Sequence, residues 1–344
     1  VCEQALGLPG GLHPFFAVTP QGKLVGGLPD GLVVLSMTGC EVRHPPELGG
    51  AAVVDVSVDT DGRVLALAAL PGQITRIYGS ADDALTFAPV GVDLPVKLDP
   101  LTIDAAPSDP AVLYATALTG DPPIGVLVRS DDEGASYQVF GVPGSEASTA
   151  PFLAGIDPAD PLRIFVRTNG APGRLLLSED GGASFSELAT TTGVLRAFDL
   201  APDGSHALFG GDLDGLFRLG LATLQVAPLS RVAARCVKHV GDAVLACTTP
   251  SVEGFSAGIS RDGGQTFARL YEQRCLRGPL ACRPGSPVTE TCAAAWPMVR
   301  DLLGVVDCEG AGGSAPTSSA QAGATSGSGA SDGAGGGAGQ DSVG

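Results

Sequence analysis

The chain has 344 residues, with Gly 50, Pro 27 and a formal net charge of −17 from Lys+Arg 20 against Asp+Glu 37. Gly and Pro at this density interrupt helices everywhere, which excludes a long-helix protein. The negative charge argues against nucleic-acid and anionic-membrane partners. No run of 18 apolar residues exists, so no helical membrane span is expected.

The sequence starts at Val1 without Met, which reads as a mature form whose signal peptide has been removed. Eight cysteines (Cys2, Cys40, Cys236, Cys247, Cys275, Cys282, Cys292 and Cys308) form an even set with no C-x-x-C pair. That pattern suits disulfides and an exported protein rather than a zinc ribbon. Three lysines against 17 arginines, and Asn169 as the only asparagine, point to a high-GC bacterial genome.

From about residue 12 the chain becomes periodic. Six polar turns recur: Pro20–Gly22, Asp59–Gly62, Pro107–Pro110, Asp157–Pro161, Pro202–Gly204 and Gly241–Asp242. Short apolar strands follow them, beginning at Lys23, Arg63, Val112, Arg163, His206 and Ala243. Further along each unit lies an octad, S-x-D-x-G-x-[ST]-aromatic, at Ser130–Tyr137, Ser178–Phe185 and Ser260–Phe267. Ser80–Phe87 fits except that Ala84 replaces the glycine, and eroded versions begin at Ser36 and Leu219. The octad starts are 44, 50, 48, 41 and 41 residues apart. Each unit therefore reads strand, turn, strand, loop, strand, octad turn, strand, which is a propeller blade. The expected fold is all-β, a β-propeller of four-stranded antiparallel blades. The octads imply six blades; a seventh is conceivable from Cys2–Leu8 and part of the C-terminal segment.

Within the last unit, Cys236 and Cys247 flank the Gly241–Asp242 turn. A two-residue turn there sets them opposite each other and predicts a disulfide. After Tyr271 the pattern stops. Residues 273–308 hold four cysteines and the only Trp, Trp296, and read as a disulfide-tied closing or cap segment, with Pro297–Leu303 a candidate short helix. Residues 309–344, almost all Gly, Ala, Ser and Thr, read as a flexible linker. The expected division is thus a propeller over 1–272, a cap over 273–308 and a tail over 309–344.

The octad resembles the Asp box, or BNR repeat, of sialidases, sortilin-type ectodomains, some glucanases and photosystem II assembly-factor-like proteins. The resemblance covers about residues 12–272, with three full matches and one near-match. It implies that each box is the hairpin between the third and fourth strands of a blade. The residue types suit that role. Asp82, Asp132, Asp180 and Asp262 can accept backbone N–H bonds within the turn, and Ser80, Ser130, Ser178 and Ser260 open it. Gly134, Gly182 and Gly264 permit positive φ. Phe87, Tyr137, Phe185 and Phe267 can fill the space between sheets. The boxes therefore read as structural, not as a calcium loop or a catalytic set.

Other motifs do not find their context. Gly254–Gly258 fits G-x-S-x-G but runs into a strand instead of a helix. Gly26–Gly31 lacks the G-K-[ST] of a phosphate loop and reads as a strand connection. His13, His44, His206 and His239 are scattered, and neither a metal nor a cofactor is expected. The sialidase resemblance implies an arginine triad, a tyrosine nucleophile with a glutamate partner, an aspartate acid/base and an R-[IL]-P motif. No R-[IL]-P is present, and Tyr271 beside Glu272 is the only loosely fitting nucleophile.

In a four-stranded blade the loop between strands two and three lies on the face opposite the octads. Those loops, at about 26–31, 69–73, 117–124, 167–173, 210–215 and 248–254, carry Asp30, Asp121, Arg167, Asn169, Asp212, Asp214 and Glu253. Asp121, Arg167, Asn169, Asp212 and Asp214 are the ligand-binding candidates, and their acidic lean suits a cationic ligand, calcium or a basic peptide. The expected function is a non-catalytic, exported, monomeric binding or scaffolding module at the cell surface, with a protein or glycan partner. The alternative is a glycoside hydrolase of sialidase-like type.

Overall fold

The computed structural model describes residues 16–306 and Cys308. The period seen in the sequence becomes six four-stranded antiparallel sheets, each built from consecutive strands. Blade 1 holds β1 (Phe16–Val18), β2 (Leu24–Leu28), β3 (Gly31–Leu35) and β4 (Val42–Arg43). Blade 2 holds β5 (Ala52–Val58), β6 (Val64–Ala69), β7 (Arg76–Ser80) and β8 (Ala88–Val90). Blade 3 holds β9 (Leu98–Ala106), β10 (Asp109–Thr119), β11 (Ile124–Ser130) and β12 (Gln138–Glu146). Blade 4 holds β13 (Pro151–Ile156), β14 (Ile164–Thr168), β15 (Gly173–Ser178) and β16 (Ser186–Thr191). Blade 5 holds β17 (Leu195–Leu200), β18 (His206–Gly211), β19 (Gly215–Gly220) and β20 (Val226–Ser230). Blade 6 holds β21 (Ala234–Val240), β22 (Ala243–Thr248), β23 (Ala257–Ser260) and β24 (Ala268–Tyr271). Every expected turn and octad falls at the strand junction assigned to it.

The second strands are apolar at nearly every position because both of their faces are covered. In β6, Val64, Ala66 and Ala68 pack toward blade 1, while Leu65 and Leu67 pack toward blade 3. In β14, Ile164 and Val166 pack toward blade 3, and Phe165 toward blade 5. Side chains alternate along a strand, so a continuous apolar run is what a sheet sandwiched between two others requires. Five apolar clusters thus fill the spaces between neighbouring blades, from blades 1 and 2 through blades 5 and 6. Polar bonds add to the clusters at one end of the blades. Arg63 donates to Pro110 O at 3.0 Å, the Tyr114 hydroxyl to Pro161 O at 2.9 Å, and Arg163 to Leu221 O at 2.6 Å. The first strands contact one another around the ring, β5 with β9, β9 with β13 and β17 with β21, and so line its centre.

The Cys236–Cys247 disulfide forms, with the two residues directly paired between β21 and β22. A second disulfide joins Cys40, in the β3–β4 hairpin, to Cys282, and Cys275 and Cys308 are also disulfide-bonded. Six bonded cysteines fit an oxidising compartment. Beyond blade 6, Val288 and Cys292 pack with Val42 of blade 1.

Two local expectations change. Gly26 and Gly27 belong to β2 and not to a connection, leaving only Pro29–Asp30 as the turn. Two further helices are α1 (Pro250–Glu253) and α2 (Ala293–Leu302). The latter begins four residues before Pro297, because a turn over Val288–Cys292 already sets the helical path. Pro297 then forgoes only the bond to Ala293 at the start of the helix. The seventh-blade segment Cys2–Leu8 and the tail over 309–344 lie outside the described residues. No described helix is long and apolar enough to cross a membrane.

Candidate functional site

The octads build the hairpins of one face. Asp180 Oδ1 accepts from the Ser178 hydroxyl and the Ser184 N–H, both at 2.8 Å, and Oδ2 accepts from the Ser184 hydroxyl at 2.6 Å. Asp82, Asp132 and Asp262 repeat the set with Ser80 and Thr86, Ser130 and Ser136, and Ser260 and Thr266. The donated side-chain and backbone bonds hold all four carboxyls below the usual range, Asp180 at about 2. Gly134, Gly182 and Gly264 take φ of +81°, +103° and +93°. Phe87, Tyr137, Phe185 and Phe267 each join the apolar cluster shared with the preceding blade. With their oxygens occupied by the turn itself, these aspartates hold the hairpin closed.

On the opposite face, the structure gathers residues of blades 4, 5 and 6 into one cavity of about 290 Å³. Phe152, Arg167, Asn169, Arg196 and Arg235 line it. Arg167, in β14, pairs in register with Phe152 of β13, and its guanidinium stacks 4.7 Å from the ring centroid. One of its N–H groups donates to Leu195 O at 3.2 Å. Burial, followed by the nearby Arg196 charge, pulls the Arg167 pKa down to about 10. A half-buried cation next to a second cation attracts an anion. Arg196 pairs with Asp212 at 3.0 Å and Arg235 lies 3.9 Å from the same carboxylate, so two of the three guanidiniums share one carboxylate.

The five ligand-binding candidates thus separate. Arg167 and Asn169 line the cavity, and Asp212 braces two of its arginines. Asp214 accepts from the Thr192 and Gly193 N–H groups at 2.9 and 3.0 Å. Burial works to raise its pKa, but those bonds prevail and lower it. Asp121 is exposed at a turn and is not among the lining residues. Glu253 accepts from the Ala233 N–H at 2.8 Å. The acidic lean expected of this face is reversed at the cavity, because its aspartates are taken up by arginines and backbone while guanidiniums face the space. Phe152, Arg196 and Arg235 went unnoticed in the sequence, although each is the second residue of the first strand of its blade. Aligning the units on that register would have exposed them.

A second cavity, about 330 Å³, lies among the inner strands of blades 2–6, with Asp59, Asp104, Gly155, Asp199 and Lys238 in its wall. Burial pushes Asp104 up to about 6. Asp55, which accepts from the Ile103 N–H at 2.9 Å, is pushed up to about 7 by burial. Tyr271 and Glu272 sit elsewhere, at the end of β24. Burial raises the Tyr271 phenol, and Glu272 is bound by Arg269 and Arg274 at 3.1 and 2.9 Å.

No protein-family model matches the chain, and no curated protein matches it. Among solved structures it resembles an oligogalacturonate lyase in complex with manganese, with TM-score 0.54, 14% identity, and coverage of 76% of this chain and 85% of that one. It also resembles the Niastella koreensis GH74 enzyme, with TM-score 0.53 and 14% identity over 77% of this chain. The match spans only 46% of that enzyme. YCF48 bound to D1 peptide matches with TM-score 0.51, 12% identity and coverage of 76% and 81%. At such identities the likeness is one of propeller fold.

Proposed function

We propose that the chain is an exported, non-catalytic propeller that binds an anionic group of a protein or glycan partner in the Arg167–Arg196–Arg235 cavity. The observation that carries this reading is the half-buried Arg167, stacked on Phe152 and flanked by two further guanidiniums that share one aspartate. Arginine forks match carboxylate, sulfate and phosphate oxygens in pairs. In this reading the octads are Asp boxes of the BNR type. Their role is to hold the blades, the propeller runs to residue 272 and residues 273–308 close it. Residues 309–344 are a linker. The disulfides support export from a bacterial cell, and a monomer at the cell surface is the working state. YCF48, solved with a peptide, illustrates a propeller of similar fold used for binding.

A sialidase-like glycosidase is the second reading, and the same three arginines favour it, since that resemblance implies an arginine triad. Against it stands the placement of Tyr271 and Glu272, neither of which lines the cavity. Two measurements separate the readings. The first is binding of the full chain to an array of carboxylated, sulfated and phosphorylated glycans and acidic peptides, repeated with Arg196→Ala and Arg235→Ala. The expected result is salt-sensitive binding that weakens at least about tenfold in each variant. Retention of all binding by the double variant would sink the site. The second is turnover of a fluorogenic sialoside and glycoside panel against a boiled control. Fluorophore release lost in the arginine variants would replace the binding reading with the enzymatic one.

A further inference from the structure

Two histidines that are 33 positions apart in the chain meet across the interface of blades 5 and 6. His206 opens β18 and His239 lies near the end of β21. Their ring centroids are 5.2 Å apart and the ring planes are nearly perpendicular, at 81°. His239 has a side chain only 9% exposed. Its Nδ1 sits 2.7 Å from Asp199 Oδ2, and its backbone N–H donates to the same oxygen at 2.7 Å. Lys238 Nζ donates to the other oxygen, Oδ1, at 2.6 Å. Asp199 thus accepts from the Lys238 ammonium and the His239 backbone N–H, which assigns Nδ1–H as the third donor facing it. The second nitrogen, Nε2, is then a lone-pair acceptor. It is buried and has no hydrogen-bond partner. A buried imidazole nitrogen without a partner is costly unless something occupies it.

A carboxylate fixing the N–H of one ring nitrogen while the other nitrogen stays bare is the arrangement found behind metal-bound histidines. His206 is set up in a parallel way, with Nδ1 2.7 Å from the Ser205 hydroxyl, which leaves its own Nε2 available. The spacing also fits. Zinc–nitrogen bonds are about 2.0–2.1 Å, which places a ring centroid about 3.2 Å from the ion. Two rings on a tetrahedral ion then have centroids about 5.2 Å apart. We propose that His206 and His239 form a two-histidine site for a divalent transition ion, Zn²⁺ in the first instance, that joins blade 5 to blade 6. Water completes the coordination, and Asp199 acts as the positioning carboxylate behind His239.

The surrounding charges suit this. Burial, and then the charges of Arg218 and His239, lower the His206 pKa, the direction that favours the uncharged ring. Asp203 works in the other direction on the same ring. The site also has a structural use. Its two ligands belong to different blades, so the ion would add to the bonds that Asp199 already makes from blade 5 to Lys238 and His239 of blade 6. An ion that binds only the folded ring stabilises it by mass action.

The test is zinc titration of the tag-free full chain by calorimetry, with thermal melts in excess Zn²⁺ and in chelator. One equivalent of Zn²⁺ binds, and the melting temperature rises with zinc. His206→Ala and His239→Ala each weaken binding at least about tenfold and remove the zinc-dependent rise, and Asp199→Asn weakens it about 10–100-fold. His206 is only half-buried at a strand start, so its variant keeps the fold even if His239→Ala does not. His44→Ala, in blade 1, changes nothing. No heat of binding at millimolar zinc, or binding and stabilisation that survive His206→Ala, would overturn the assignment.

Discussion

Replacing Asp55 with Asn tests whether the inner strands enclose a carboxyl that resists ionisation. Asp55 lies on β5 and accepts the Ile103 N–H of the next blade. Its pKa rises from 3.8 to about 7, chiefly through burial, with Asp104 adding like-charge repulsion. The folded protein therefore holds this proton more tightly than the unfolded chain does. The stability linked to the proton is complete below about pH 4 and is lost as pH rises through about 7. At about 1.36 kcal/mol per pH unit, ionised Asp55 costs the fold up to about 4 kcal/mol above pH 8. Asparagine keeps an oxygen for the Ile103 N–H and never ionises. Urea unfolding at intervals from pH 4 to 8.5 reads the difference. Asp55→Asn matches the parent at pH 4 and exceeds it at pH 8.5, with the gap opening between. Parallel curves over the whole range would refute the enclosure of Asp55.

Two further outcomes follow from the packing. Cys40→Ser with Cys282→Ser opens a covalent loop with a sequence separation of 242, which lowers stability by roughly 5 kcal/mol under the chain-entropy model. Coincident urea transitions of variant and oxidised parent would refute it. Gly182→Ala puts a Cβ at φ +103° against Leu127 and destabilises by at least about 1 kcal/mol, as read by the urea midpoint. An unchanged midpoint would mean that this octad turn does not require glycine.

Much of the architecture was written locally. A turn is specified by the few residues that make it, so the octads, the polar turns and the Cys236–Cys247 hairpin could be located without any long-range information. The blade follows from their spacing, because two-sided burial forces the continuous apolar runs of β6 and β14. Arg167 and Asn169 were reachable by the same logic, since the loop between the second and third strands defines a face.

What the sequence could not show is which residues of different blades converge. Phe152, Arg196 and Arg235 are each a single residue at the start of a strand, and only the curvature of the ring points them into one cavity. The charge of that cavity was hidden for the same reason: Asp212 counts as acidic in the sequence, yet in three dimensions it is shared between two arginines. The Cys40–Cys282 pairing, the raised pKa of Asp55 and the meeting of His206 with His239 likewise depend on distances between blades. The sequence by itself determined the repeat, the blade and the hairpin chemistry, because these rest on hydrogen bonds and side-chain alternation within a few residues. The tertiary structure alone decided the sites, because they are made where separate repeats close around a common axis.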